Sequence, residues 1–306
     1  MLAIDIILRF DIILKNIFRI IKTRKKQMMK IPTPSNSLER REYSYLFQKE
    51  KKKINFDFSV QYDYHSEKKL VKINRYHLLI NYEKPDETLI GNLVSQASEA
   101  LFPITLQINS SGYPIGIFNH SEILERWRSF IPRFEDYYDN PLSIKLLNRI
   151  GNLYKNPVKL LKGLRNDWFF STFFFPIYGE YENDEAVKIN YPFPSVLETA
   201  IYETELFIND EKTDKGKTDI SLFGNSPSND NKVHGNFLLN SDRSIHEIKI
   251  NFNISDRENI SIHIWEIKEI SERKMTVSVL YDEKEEKKSK GFFVEEIKGK
   301  DLPKHK

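Results

Sequence analysis

From Ile54 to Tyr64 apolar and polar positions alternate without a break: Ile54, Phe56, Phe58, Val60, Tyr62 and Tyr64 on one side, and Asn55, Asp57, Ser59, Gln61 and Asp63 on the other. A period of two predicts a half-buried antiparallel strand. A polar connection follows, and Leu70 to Tyr82 supplies the partner strand. Pro85 and Asp86 open a helix that carries Leu89, Ile90, Leu93, Val94, Ala97 and Leu101 on one face and stops at Pro103. The alternation then resumes in Ile104, Leu106 and Ile108, crosses a turn at Ser110, Ser111 and Gly112, and returns through Ile115 and Ile117, which predicts a hairpin. Asn119 with Glu122 three residues on has the spacing of a capping box, and Ile123, Leu124, Trp127 and Ile131 continue at helical period.

Two shorter helices are predicted next, because Asn140-Pro141 and Asn156-Pro157 each place an N-cap residue before a proline at the first helical position. Trp168 to Phe175 holds six aromatics in eight residues and reads as a core crossing where helices meet sheet. Residues 185–210 predict more strand, and 209–232 a long polar surface loop broken only by Ile220 to Phe223. The last third predicts a meander: Ile248 to Ile254, Ile260 to Ile264, and Met275 to Val279, with a further strand at Phe292 to Val294. A shift of apolar phase near Trp265 and Ile267 predicts a bulge.

The fold class expected from this order is α+β. It consists of an antiparallel sheet, a strand-strand-helix unit repeated twice, further short helices and a C-terminal β-meander, with helices covering one face. The expected segments are an amphipathic basic stretch at 1–30, a linker at 31–53, an α+β half at 54–182, a mainly β half at 183–297 packed on it, and a tail at 298–306. In residues 1–22 apolar runs are interrupted at helical spacing by Asp5, Arg9, Asp11, Lys15 and Arg19. That pattern lacks the apolar centre of a signal peptide and the length of a membrane span. Two readings stand for it: a helix lying on an anionic membrane surface, or an extension preceding a start at Met28 or Met29.

Charge and composition narrow the classes. The first 30 residues hold eight of the 47 Lys and Arg against two of the 44 acids, so the remaining chain carries 39 against 42, a net −3. Such a body has no global field for a polyphosphate backbone, and no nucleic-acid partner is expected. With 0 Cys there is neither disulfide framework nor thiolate chemistry, which suits a reducing, cytoplasmic setting, at most peripheral to the inner face of a membrane.

Chemistry is sparse. The seven His show no metal-ligand spacing, although His246 and His263 are placed to face each other on neighbouring strands. No metal and no cofactor are expected, since the 11 Gly form neither a phosphate loop nor a serine elbow. Glu122 and Glu125, with Asp136 and Asp139 beyond, are the carboxylates a hydrolase would use. The leading expectation is a non-enzymatic protein that binds a partner protein or an apolar ligand between sheet and helices, through Trp127, Trp168, Phe170, Phe174 and Tyr178. A homodimer through an exposed sheet edge is the second kind of partner.

Overall fold

The alternation at 54–64 is realised as part of a long strand whose Phe56, Phe58, Val60 and Tyr62 are all buried. The computed structural model describes residues 28–267 apart from 35–36, 66–67, 84–88, 138–139, 183–185, 195–198, 209–215, 228–230 and 256–257. The strands expected at 275–279 and 292–294, the tail, and the membrane or extension readings of residues 1–26 lie outside the described residues.

The chain runs β1 (Met28–Ile31), β2 (Ser37–Lys49), β3 (Lys52–His65), β4 (Lys68–Ile80), α1 (Leu89–Glu99), β5 (Ile104–Ile108), β6 (Pro114–Ile117) and α2 (His120–Tyr137). It continues through α3 (Pro141–Tyr154), α4 (Pro157–Arg165), α5 (Trp168–Phe173), β7 (Gly179–Glu182), β8 (Val187–Pro194) and β9 (Thr199–Ile208). The last described strands are β10 (Thr218–Asn225), β11 (Lys232–Leu239), β12 (Ile245–Ser255) and β13 (Glu258–Glu266). The protein is mixed, with one large antiparallel sheet and a few helices. Among the described residues no helix is long and apolar enough to cross a membrane.

Among the described residues eleven strands form the main sheet in the order β6-β5-β4-β3-β2-β13-β12-β11-β10-β9-β8, and β1 pairs separately with β7. The stretch expected as a linker therefore contributes β1 and the central strand β2. Segments 37–117 and 187–266 share one sheet, because β2 and β13 are hydrogen-bonded neighbours. The segment expected as a loop around 220 is β10, paired on both sides. No bulge falls at Trp265, which keeps register with Glu247; the irregularity lies at Asn253/Ser255 instead.

Ten spacings of about 4.8 Å would put the edges of a flat eleven-stranded sheet about 48 Å apart. Yet Tyr113, in the β5–β6 turn, meets Tyr191 of β8 with ring centroids 6.3 Å apart. The sheet has curled until its two edges nearly meet, as native twist allows. Each edge strand carries proline, Pro114 on β6 and Pro192 and Pro194 on β8, which removes ladder donors and blunts pairing with a second sheet.

Inside the curl lies α5. Asp167 caps it, accepting from the amides of Phe169 (2.9 Å) and Phe170 (3.1 Å). Phe169 then packs against Tyr45, Phe56 and Phe58 at 5.3, 5.1 and 4.7 Å, all edge-on. That geometry suits ring quadrupoles and adds to area burial. Farther along the sheet Phe175, Phe193 and Phe237 stack in turn.

The remaining helices are tied to one another by side chains reaching backbone carbonyls. Arg126 of α2 donates from Nε to Ala100 O (3.0 Å) and from Nη2 to Pro103 O (2.8 Å), satisfying carbonyls where α1 ends. Tyr154 Oη donates to Ala97 O at 2.8 Å, and Trp127 meets the Tyr154 ring at 5.2 Å. Gly151 permits this approach, since a Cβ there would stand 3.1 Å from Trp127 Nε1. Asn140 and Asn156 cap α3 and α4 by accepting from Ser143 N and Lys159 N. Asn119 departs from the capping box: its Oδ1 accepts from Thr105 N (2.8 Å) and its Nδ2 donates to Pro103 O (3.0 Å) and Glu122 Oε2 (3.1 Å). The side chain fastens α2 to the start of β5 rather than closing its own helix.

Candidate functional site

Four of the predicted site residues, Trp127, Phe170, Phe174 and Tyr178, are buried and Trp168 is half-buried, but the five do not form one group. Trp127 sits between α2 and α3. Trp168 touches Phe47 and Phe252 at 5.9 and 5.0 Å, and Phe170 stacks with Phe102 and Phe174. Tyr178 is buried at a different place, its Oη donating to Arg243 O at 3.2 Å and its ring against Gly112. The space between sheet and α5 is filled by such rings.

The strongest concentration of charge lies at one end of the curl, where three sheet residues enter the inner face. Arg41 of β2 donates from Nη1 to Glu266 Oε1 (2.5 Å) and from Nη2 to Asp242 Oδ2 (2.6 Å). The other Glu266 oxygen lies 3.1 Å from Asn240 Nδ2 and 3.2 Å from His246 Nδ1. Ser244 donates from both N and Oγ to Asp242 Oδ1. Burial works against the charge of Glu266, but its bonds from Asn240, His246 and Arg41 outweigh it and hold the carboxyl below its ordinary range. Asp242 is likewise depressed, with burial opposed by Ser244 and Arg41. Burial alone would lower the Arg41 guanidinium, whose bond to Glu266 and attraction to Asp242 raise it instead. With its acceptors engaged this node pins β2, β13 and the β11–β12 turn together, and Arg41 Nε is buried there with no partner among the described residues.

Two outer-face clusters resemble catalytic constellations by composition but not by connectivity. Ser44 Oγ donates to Asp57 Oδ1 at 2.5 Å, and His77 Nδ1 lies 3.1 Å from Asp57 Oδ2. A nucleophile needs its base between hydroxyl and carboxylate; here the carboxylate sits in the middle, so the histidine does not reach the serine. Glu247 is held by Lys249 and His263, each at 2.8 Å, with the His263 ring on Trp265 at 4.4 Å. Burial lowers the His263 pKa more than Glu247 raises it. His246 and His263 do not face each other: Lys249 is opposite His263, and His246 turns to Glu266 on the other face. Among the described residues no group of three His, Asp or Glu is set to hold a metal ion. Glu122 is engaged by Asn119 and, at 3.8 Å, Arg126, while Glu125 is exposed on the same helix. The side chains of Asp136 and Asp139 lie outside the described residues.

The feature that pattern reading missed is on the outer face of β8, β9 and β10. Where Leu206 and Leu222 turn inward, their neighbours Phe207 and Phe223 must turn out, and their rings meet edge to face at 6.1 Å while 37% and 53% exposed. Ile201 of β9 is 58% exposed. Beside Phe223 opens a cleft of 490 Å³ lined by Lys188, Asn190, Glu203, Thr204, Glu205 and Asn225. Lys188 and Glu205 pair across it at 3.3 Å. Strand register extends this row of outward residues from Lys188 through Glu205, Phe223, His234, Asn251 and Ser261 to Gln48, crossing seven strands. A second cleft, of 450 Å³, lies around His234, Asn251, Ser261 and Gln48. This surface combines rings, amide groups, the carboxylate of Glu203 and the Lys188–Glu205 ion pair. No protein family, curated protein or solved structure is matched by the chain.

Proposed function

We propose that this chain is a non-enzymatic binding protein that engages a partner protein through the outer face of β8, β9 and β10. The exposed ring pair Phe207–Phe223 beside the 490 Å³ cleft carries the reading, since large rings bordering a cleft are what anchors at protein interfaces look like. On this reading the helices cover the inner face of the sheet and leave the outer face to the partner. Trp127, Trp168, Phe170, Phe174 and Tyr178 then serve as the rigid support, because an apolar ligand between sheet and helices would have to displace rings already packed there.

The test compares the wild-type chain with Phe207→Ser/Phe223→Ser. Proteins enriched on each from the native host are quantified, the differential one is purified, and its affinity is measured by titration calorimetry. A partner that binds the double variant at least about 30-fold more weakly, as expected for loss of a hot spot, supports the reading, provided the thermal midpoint is unchanged. Equal affinity for both chains refutes it.

A further inference from the structure

A second surface is distinguished by sequence and structure together. From Asn140 to Asn166 the chain holds six Lys or Arg and no Asp or Glu, although acids make up 44 of its 306 residues. This interval is α3, α4 and the turn between them. At about 100° per residue, Lys145, Arg149, Leu142 and Leu153 fall within one quadrant of α3, opposite the buried Ser143, Gly151 and Tyr154. On α4, Leu160, Leu161 and Leu164 are buried, and Val158, Lys159 and Lys162 point away from them. Leu153 joins the two surfaces, because its Cδ1 is 3.9 Å from the position of a Cβ on Gly163. Lys155 stands exposed between the helices.

Of the six cations, Arg165 is spent on the fold. It donates to Pro114 O from Nε (3.0 Å) and Nη2 (2.6 Å) and covers the Tyr113 ring at 4.7 Å. The ion pairs formed among the described residues involve none of the other five. Between those five stand Leu142 and Val158, 59% and 76% exposed, and the less exposed Leu153.

We infer that the exposed surface of α3 and α4 docks on an anionic lipid bilayer. Five cations without intervening acid complement a sheet of negative headgroups, and aliphatic side chains set among them enter the acyl boundary that the headgroups cover. The aliphatics decide between polyanions. A nucleic-acid backbone would use the cations but leave Leu142 and Val158 in water, and this surface presents no aromatic ring for stacking on bases. The surface differs from the outer face of β8–β10, so membrane docking and partner binding are compatible.

The experiment is flotation of the full chain with phosphatidylcholine vesicles, with and without phosphatidylserine. Binding is expected only where phosphatidylserine is present. Since one cation near an anionic surface strengthens partition about fivefold, Lys145→Glu/Arg149→Glu/Lys159→Glu is expected to weaken it by more than about 100-fold. Leu142→Asn/Val158→Asn is expected to weaken it at unchanged charge. Every variant sits at exposed positions, and the thermal midpoint of each verifies folding, with the corresponding Gln variant in reserve. Because residues 1–26 are also basic, Lys22→Glu/Lys25→Glu/Lys26→Glu is run beside them. The inference is overturned if phosphatidylserine confers no binding, if only the residue 22–26 variant loses it, or if the chain binds a duplex oligonucleotide and no vesicle.

Discussion

Replacing Arg41 with Met keeps the length of the side chain and removes the charge at the centre of the node that ties β2 to β13. Both carboxylates lose a donor: Glu266 one at 2.5 Å and Asp242 one at 2.6 Å. The side chains of Arg41, Asp242 and Glu266 are only 20%, 27% and 11% exposed, so little water replaces the guanidinium. Breaking a fully buried pair costs about 3–5 kcal/mol. Asn240 and His246 still serve the other oxygen of Glu266 and Ser244 that of Asp242, which brings the expected loss to about 2–3 kcal/mol, or about 4–12 °C in thermal midpoint for a chain of this size. The pH dependence separates this mechanism from simple loss of packing. Glu266 and Asp242 are depressed in the folded state, so their contribution is present above their unfolded values and is lost as pH falls through the lower, folded ones. Without Arg41 that depression is reduced, while the bonds from Asn240, His246 and Ser244 remain. Urea unfolding followed by circular dichroism is thus expected to show the wild type well above Arg41→Met at neutral pH, with the gap narrowing below about pH 4. A variant as stable as the wild type, or a gap of equal size at both pH values, refutes the reasoning.

Three further outcomes follow from the same geometry. Phe169→Ala removes a ring with three edge-on partners and is expected to cost about 3–5 kcal/mol in urea unfolding, whereas Phe223→Ala on the outer face should cost less than about 0.5 kcal/mol; similar losses from the two would place Phe169 outside the core. Gly112→Ala puts a Cβ 2.6 Å from Tyr178 Cδ2 at a φ of 86° and is expected to lose about 1–3 kcal/mol by differential scanning fluorimetry, an unchanged midpoint being the contrary result. Burial pushes the Tyr154 hydroxyl up to about 12, and burial raises Tyr45 and Tyr62 as well. A raised folded value means stability intact below the unfolded value near 10 and lost as pH climbs toward the folded one, so tyrosinate absorbance should rise together with loss of near-ultraviolet dichroism rather than before it.

Much of the sheet was legible in the sequence because its strands alternate. The patterns at 54–64, 104–117, 248–254 and 260–264 all became strands, and the Asn-Pro pairs became capped helices. What hid the rest was polar chemistry on the inner face. Arg41 shares its phase with the buried Tyr43 and Tyr45, so the run Glu39-Arg40-Arg41-Glu42 reads as linker although it is central strand. Glu266 disguises β13 in the same way, and with Trp265 outward the reversal of phase imitates a bulge. The partners that justify these charges lie 201 and 225 residues away, beyond any local window. The outer ring pair was hidden for the opposite reason, since Phe207 and Phe223 each stand beside a buried Leu and merge into what looks like one apolar run.

The pairing of β2 with β13 also governs the order in which the chain can acquire its structure. Residue for residue, Tyr43 meets Glu266 and Lys49 meets Ile260, so the middle of the sheet is joined from the two most distant described strands of that sheet. The hairpins β2–β3–β4 and β8 through β12 have only local loops to close, but the seam between them closes a loop of more than 200 residues, and contacts of such sequence separation are slow to form. During synthesis β2 leaves the ribosome with its β13-facing edge bare, and that edge stays an open template until nearly all of the described chain has been made. Arg41 waits with it, its countercharges not yet translated, which makes the completed ion cluster a signature of the finished fold rather than an early guide to it.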